Sequence, residues 1–186
     1  MIIWRKKIIE HYEKIWSNKA SIHYWSNGPV DELPFDFCIL EFTPTEKRKM
    51  WTYATCCMSQ PADNNPIEIH LFSERKCNEL IELLTVVAHY HRMGSPLGLN
   101  HTVNFGKPWQ DNSTCEYGYI SLPYLDGPDS ENLYLTDDTN PIKCYWLIPI
   151  TLNEVNYAKK NGSESLEEKF DSSSFNYFNI HRNSIL

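Results

Sequence analysis

No stretch of this 186-residue chain stays apolar for the roughly 18 residues that a membrane-spanning helix needs. The opening residues, Met1-Ile-Ile-Trp-Arg-Lys-Lys-Ile-Ile-Glu-His11, lack the apolar centre of a secretory signal. Both absences point to a cytoplasmic protein that does not enter a membrane. The six cysteines, at 38, 56, 57, 77, 115 and 144, include no Cys-x-x-Cys pair. In a reducing compartment they are expected as buried free thiols. Cys56 and Cys57 would point to opposite faces if both lay on one strand.

The motifs of common enzymes are missing as well. There is no Gly-x-Gly-x-x-Gly and no Gly-x-Ser-x-Gly elbow. Gly106-Lys107 leads into Pro108, where a phosphate loop needs Ser or Thr, and His101 stands where that loop needs its first glycine. His89, His91 and His101 suggest a metal-assisted hydrolase. On a helix, however, His89 and His91 lie about 200° apart, whereas helical zinc pairs are spaced i, i+4. His91 falls on an apolar stripe and reads as a core histidine with a satisfied hydrogen bond. No catalytic residue, metal or cofactor is expected. Internal repeats, low-complexity segments and linkers are also absent.

One further absence is local. From Pro108 to Ile142 there is no Lys, Arg or His, while Asp111, Glu116, Asp126, Asp129, Glu131, Asp137 and Asp138 lie there. Outside that segment 17 basic residues balance 17 acidic ones, so the whole formal charge of −7 is local. Such a run is either a solvated loop face or a docking surface that steers a basic partner. The balance argues against nucleic acid as a direct ligand.

What is present fits one α+β domain over residues 1–186, a mixed and mainly antiparallel sheet packed with several helices. Residues 1–30 form an N-terminal helix and connecting loop. Ile8, Ile9, Tyr12, Ile15 and Trp16 make one apolar face of a helix over 3–17. Asn27-Gly28-Pro29 signals a turn in the loop that follows. Runs at 35–42, 49–59 and 67–71, separated by short turns, predict an antiparallel meander. A helix over 78–92, capped by Ser73 or Asn78, ends at Gly94. Residues 117–123 and 143–151 predict further strands, the second central and buried on both faces. Thr151 with Glu154 is a capping box that starts a helix at Leu152, ending at Gly162. Ser165 with Glu168 predicts a second, short helix over 166–170. The aromatic tail, Phe175, Tyr177, Phe178 and Ile180, is expected to dock on the body.

Between the helix at 78–92 and the strand at 143–151 lies the most distinctive stretch. Five of the seven glycines fall between Gly94 and Gly127, interleaved with Phe105, Trp109, Tyr117, Tyr119 and Tyr124. That composition predicts a shaped, packed loop. Gly94-x-x-Leu-Gly-x-x-His-Thr-Val-Asn-Phe-Gly-x-Pro-Trp109 resembles a signature of the Suppressor-of-Fused-like family. Gly118-Tyr-Ile-Ser-Leu-Pro-Tyr-Leu-Asp-Gly-Pro128 and Tyr145-Trp-Leu-Ile-Pro-Ile-Thr151, followed by Glu154-Val and Leu166-Glu-Glu-Lys-Phe170, resemble it too. The resemblance runs from about Asp31 to the C-terminus. It implies a mixed α+β domain without catalytic residues or a required cofactor. In animals such a domain is the N-terminal half of a regulator that clamps a transcription-factor peptide in Hedgehog signalling. This chain is more similar to bacterial stand-alone members, for which the resemblance implies an immunity protein neutralising a polymorphic toxin. A basic toxin domain would then be the partner, with contacts at His101, Asn104, Trp109, Tyr124, Asp126 and Asp129. Trp109 and Tyr124 would act as aromatic anchors and the two aspartates as ion-pair partners. A signalling adaptor that binds an extended peptide along a sheet edge is the alternative.

Overall fold

A computed structural model describes residues 2–28, 30–110, 112–135 and 140–186. Pro29 of the expected turn, and Asp111, Asp137 and Asp138 of the acidic run, lie outside the described residues. The chain divides into two compact units, residues 1–99 with 122–146 and residues 100–121 with 147–186.

In the first unit, helix α1 (Ile2–Trp16) buries Ile8, Tyr12 and Trp16, which recur at the helical period. Strands β1 (Ser21–His23), β2 (Cys38–Phe42), β3 (Trp51–Cys56) and β4 (Ile67–Ser73) pair antiparallel in that order. The expected meander is therefore present. β2 and β4 are buried along their whole length. α1 packs on β3, and helix α2 (Glu79–Met93) packs on β2 and β3. Tyr12 stacks on Trp16, and Trp16 meets Phe42 edge-on, each with ring centroids 4.7 Å apart.

The sheet is not antiparallel throughout. After the loop region comes β5 (Thr102–Asn104), then β6 (Tyr117–Ser121), β7 (Asn132–Leu133) and β8 (Ile142–Ile150). The first half of β8 runs parallel to β4, with Ile67 opposite Lys143 and His70 opposite Trp146, and β7 adds antiparallel to it. Pairs β4 and β8 flank each other at the middle of the strand order, which accounts for the near-continuous apolar run in β8.

The second unit holds the other half of β8, the antiparallel pair β5–β6, and helices α3 (Leu152–Asn161) and α4 (Ser163–Ser172). Gly118 is required where it stands, because a Cβ there would lie 2.7 Å from both Leu147 and Phe105 side-chain atoms. The Thr151–Glu154 capping box forms as expected, with both reciprocal hydrogen bonds. The tail docks within this unit. Arg182 is buried against Glu154, with nitrogen–oxygen distances of 2.5 and 2.7 Å, and the Ser113 and Thr114 hydroxyls donate to the Ile180 and Arg182 carbonyls.

Several local expectations are corrected. The connecting loop after α1 contains strand β1, too short to leave a periodic signal. Helix α4 starts at Ser163 directly after Gly162, so Ser165 and Glu168 lie inside it and form no cap. Asn78 precedes α2 without a capping hydrogen bond from its side chain. Cys57 lies just past β3 with φ of 68°, and its sulfur is 4.0 Å from that of Cys56. All six cysteines are buried with free thiols.

Candidate protein-interaction site

The segment 122–135 is held by its own backbone before any partner is considered. The amide of Asp126 donates to the Pro123 carbonyl at 2.9 Å, and that of Ser130 to the Gly127 carbonyl at 3.1 Å. Gly127 has φ of 78°, a left-handed conformation that a residue with a Cβ adopts at a cost. Pro128, with its fixed φ, starts the 3-10 turn Pro128–Ser130. The Cys144 amide donates to the Glu131 carbonyl at 2.8 Å, tying the turn to β8.

Asp126 is the anchor of this segment. Its side chain is only 3% exposed, and it pairs with both terminal nitrogens of Arg48. It also accepts the Trp16 indole N–H at 3.0 Å, and His70 Nε2 lies 3.7 Å from Oδ2. The Arg48 guanidinium in turn lies over the Trp16 and Phe72 rings, 5.1 and 4.7 Å from their centroids. Burial pulls the pKa of His70 down to about 4, helped by Arg48 and His11 and opposed by Asp126, so the imidazole is neutral. The charge of Asp126 is thus spent inside the molecule.

Around this anchor the segment presents Tyr124, 62% exposed, and Tyr134, 61% exposed, together with exposed Leu125 and Asp129 and half-buried Glu131. A groove of about 750 Å³ opens between the segment and α1, lined by His11, Lys14, Ile15, Asp129 and Tyr134 among others. His11 lies 3.4 Å from the Ser130 carbonyl oxygen, and burial lowers its pKa, with Lys14 acting in the same direction.

The six expected contact residues divide between the two units. Tyr124, Asp126 and Asp129 belong to the segment just described. His101, Asn104 and Trp109 belong to the second unit. There, Trp109 is fully buried, with its ring edge-on to Phe105 at 5.3 Å, so it packs the fold instead of offering a surface anchor. His101 and Asn104 are exposed at the ends of β5. The Asn104 side chain accepts the Gly106 amide at 2.8 Å and so shapes the turn after the strand. His89 pairs with Glu32, and His91 accepts the Leu97 amide at 2.9 Å, a core histidine with a satisfied nitrogen. Among the described residues no three His, Cys, Asp or Glu side chains stand close enough together to hold a metal ion. No helix among the described residues is long and apolar enough to cross a membrane.

The family model described as Suppressor of fused protein (SUFU) matches residues 33–183. The chain belongs to the suppressor of fused family. This suppressor of fused chain is also similar to the crystal structure of a SUFU homologue from Neisseria gonorrhoeae FA 1090, at 26% identity and a TM-score of 0.86. That match covers 100% of this chain and 98% of the other. The structure of the Sufu-Fu complex matches at 12% identity and a TM-score of 0.67, over 98% of this chain and 92% of that one. Drosophila Suppressor of Fused matches at 12% identity and a TM-score of 0.65, over 97% of this chain and 50% of the fly protein. The last two likenesses concern the fold. No curated protein sequence matches the chain.

The partners of Asp126 escape sequence reading. Arg48 sits in a Lys-Arg-Lys run 78 residues away, and nothing in its neighbourhood marks it as a core residue. Tyr134 is a surface aromatic for which the sequence carries no positional signal.

Proposed function

We propose that this suppressor of fused chain is a non-catalytic protein-binding domain whose partner is a basic protein. It would work in the cytoplasm as an immunity protein that neutralises a basic toxin domain. The observation that carries the reading is the surface of segment 122–135. The segment exposes Tyr124, Leu125, Asp129 and Tyr134, leaves Glu131 half-buried and holds no basic residue, on a backbone pinned by buried Asp126. Rigid aromatics flanked by one sign of charge give both contact area and steering toward a cationic surface. Family membership supports protein binding, since one relative of this fold is a component of the Sufu-Fu complex. Tyr124 and Asp129 are the contacts this reading retains from the sequence.

The experiment is affinity capture from the source cell, run in parallel with the wild-type chain and a Tyr124→Ser, Asp129→Lys, Tyr134→Ser variant. A basic protein captured at stoichiometric yield by the first and lost by the second is the expected outcome. A partner retained equally by both would refute this face.

A second reading has its own support. β5 ends the strand order, and His101 and Asn104 are exposed at its two ends, which suits an extended peptide adding to that edge. A short peptide that reproduces the affinity of the whole partner would favour it.

A further inference from the structure

Between the end of β1 and the start of β2 a pocket of about 320 Å³ opens among aromatic side chains. Tyr24, Trp25, Phe35 and Phe37 line it, together with Leu33 and with Asp31 from the 3-10 turn Val30–Glu32. Tyr24 and Phe35 form an exposed rim, at 62% and 97% exposure, while Trp25 is half-buried and Phe37 buried. Among the described residues none of the four rings packs against another aromatic ring, so they border a gap instead of filling it. Rings that share a cation stand apart in this way, because the cation lies within about 6 Å of each centroid.

The charge of the pocket has one sign. Asp31 is its one charged lining residue; it is exposed, and no counter-ion meets it among the described residues. From Tyr24 to Glu46 the chain has no Lys, Arg or His, and it carries Asp31, Glu32, Asp36, Glu41 and Glu46. Of these, Glu32 pairs with His89 and Glu41 with Lys76. Arg5 meets Tyr24 without lining the pocket. It donates to the hydroxyl at 2.7 Å and lies 5.6 Å from the ring centroid, which fixes that ring in place.

We infer that this pocket receives an arginine side chain of the protein partner. A guanidinium is flat and weakly hydrated, so it leaves water for aromatic faces at lower cost than a lysine ammonium does. Its stem lies along Leu33, its plane against Trp25, and its N–H groups meet the Asp31 carboxylate. The exposed rim decides between a protein and a small cation. A small cation leaves the Phe35 ring in water, whereas the surface around a partner's arginine covers Phe35 and Tyr24 together. The inference rests on the reading of a basic partner and gives that partner a contact separate from the face at Tyr124.

The test uses the full chain alone. N-acetyl-arginine N-methylamide is titrated into it, with the lysine and norleucine analogues and choline as comparators, and NMR follows the backbone amides and the Trp25 indole N–H. Saturable shifts at Trp25, Asp31 and Phe37 are expected, with the lysine analogue weaker by about threefold and the norleucine analogue by about tenfold or more. Asp31→Asn and Phe35→Ala alter exposed side chains, and each is expected to weaken the arginine analogue by about threefold. Equal binding of the norleucine analogue overturns the inference, as does an affinity unchanged in both variants. Choline binding more tightly than the arginine analogue also overturns it and makes the pocket a quaternary-ammonium site. The Tyr124→Ser, Asp129→Lys, Tyr134→Ser variant should bind the analogue as the wild type does, so failure of that face and failure of this pocket are told apart.

Discussion

The carboxylate of Asp126 and the guanidinium of Arg48, 78 residues apart in sequence, form a two-point ion pair with the indole N–H of Trp16 as a third donor. The pair joins the segment 122–135 to the start of β3 and to α1. Arg48 is packed against two rings, and among the described residues Asp126 is its one ion-pair partner.

Asp126→Ala is therefore expected to destabilise the chain by about 3–5 kcal/mol, the range for breaking a buried pair from one side. Replacing both partners, as Arg48→Met with Asp126→Leu, is expected to cost less than either single change. Urea unfolding of the three variants checks this. A double variant whose loss equals the sum of the two singles would show that the residues do not act as a pair.

Glu68 and His70 lie on one face of β4, both buried, and their protonation equilibria pull stability in opposite directions. Burial raises the Glu68 pKa to about 7, against the hydrogen bonds from Ser59 and Thr55 that favour its charged form. The folded state then holds that proton longer than the unfolded chain does. Its contribution is complete below about pH 4.5 and is lost as pH rises through 7. His70, pulled down to about 4, does the reverse. Its contribution is complete above about 6.5 and is lost as pH falls through 4. Each shift corresponds to about 3 kcal/mol, so the two nearly cancel between pH 4.5 and 6.5. Glu68→Gln should unmask a stability that falls on acidification. His70→Asn should unmask one that falls as pH rises. Denaturation midpoints at three pH values across this window measure both. A Glu68→Gln variant whose midpoint stays as flat as the parent's would sink the argument.

Gly118→Ala is expected to cost about 1–3 kcal/mol, because the added methyl meets the Leu147 and Phe105 side chains at 2.7 Å. Trimming Leu147 to Val in the same chain should recover part of the loss. A neutral Gly118→Ala, read by thermal unfolding, would place those side chains elsewhere.

In the second unit, Arg182 neutralises Glu154, which also receives the amides of Thr151 and Ile185 at 2.8 and 3.1 Å. Arg182→Ala leaves that carboxylate buried without its cation and is expected to cost about 3–5 kcal/mol. Hydrogen exchange should then accelerate at the start of α3 and along the tail. Unchanged exchange in both places would mean that the tail is held by its aromatic contacts alone.

On the proposed partner face, Asp129→Lys should slow association and flatten its dependence on salt, with a smaller effect on dissociation. Stopped-flow mixing at low and moderate ionic strength reads this directly. A dissociation rate that changes while association does not would assign Asp129 to a close buried contact instead of steering.

The periodic parts of the chain were legible in the sequence because burial at a regular interval leaves a regular trace. Ile8, Tyr12 and Trp16 marked α1. The capping box at Thr151 marked α3, since its residue types are demanded by local backbone geometry alone. β1 and β5 were not legible, for three residues are too few to show alternation. The acidic run was legible as composition, but composition does not say which carboxylate faces water.

Within that run the division between structure and surface was decided by tertiary contacts. Asp126 and Asp129 stand three residues apart and look alike in sequence, yet one is consumed by Arg48 and the other is exposed. Trp109 and Tyr134 likewise separate into a buried ring and an exposed one. The sequence by itself determined the helix periods, the meander, the Thr151 capping box and the family, all of which follow from local patterns or ordered motifs. Which charges and rings remain available to a partner depended on residues dozens of positions away, because only the folded chain brings Arg48 to Asp126 and buries Trp109 while leaving Tyr134 exposed.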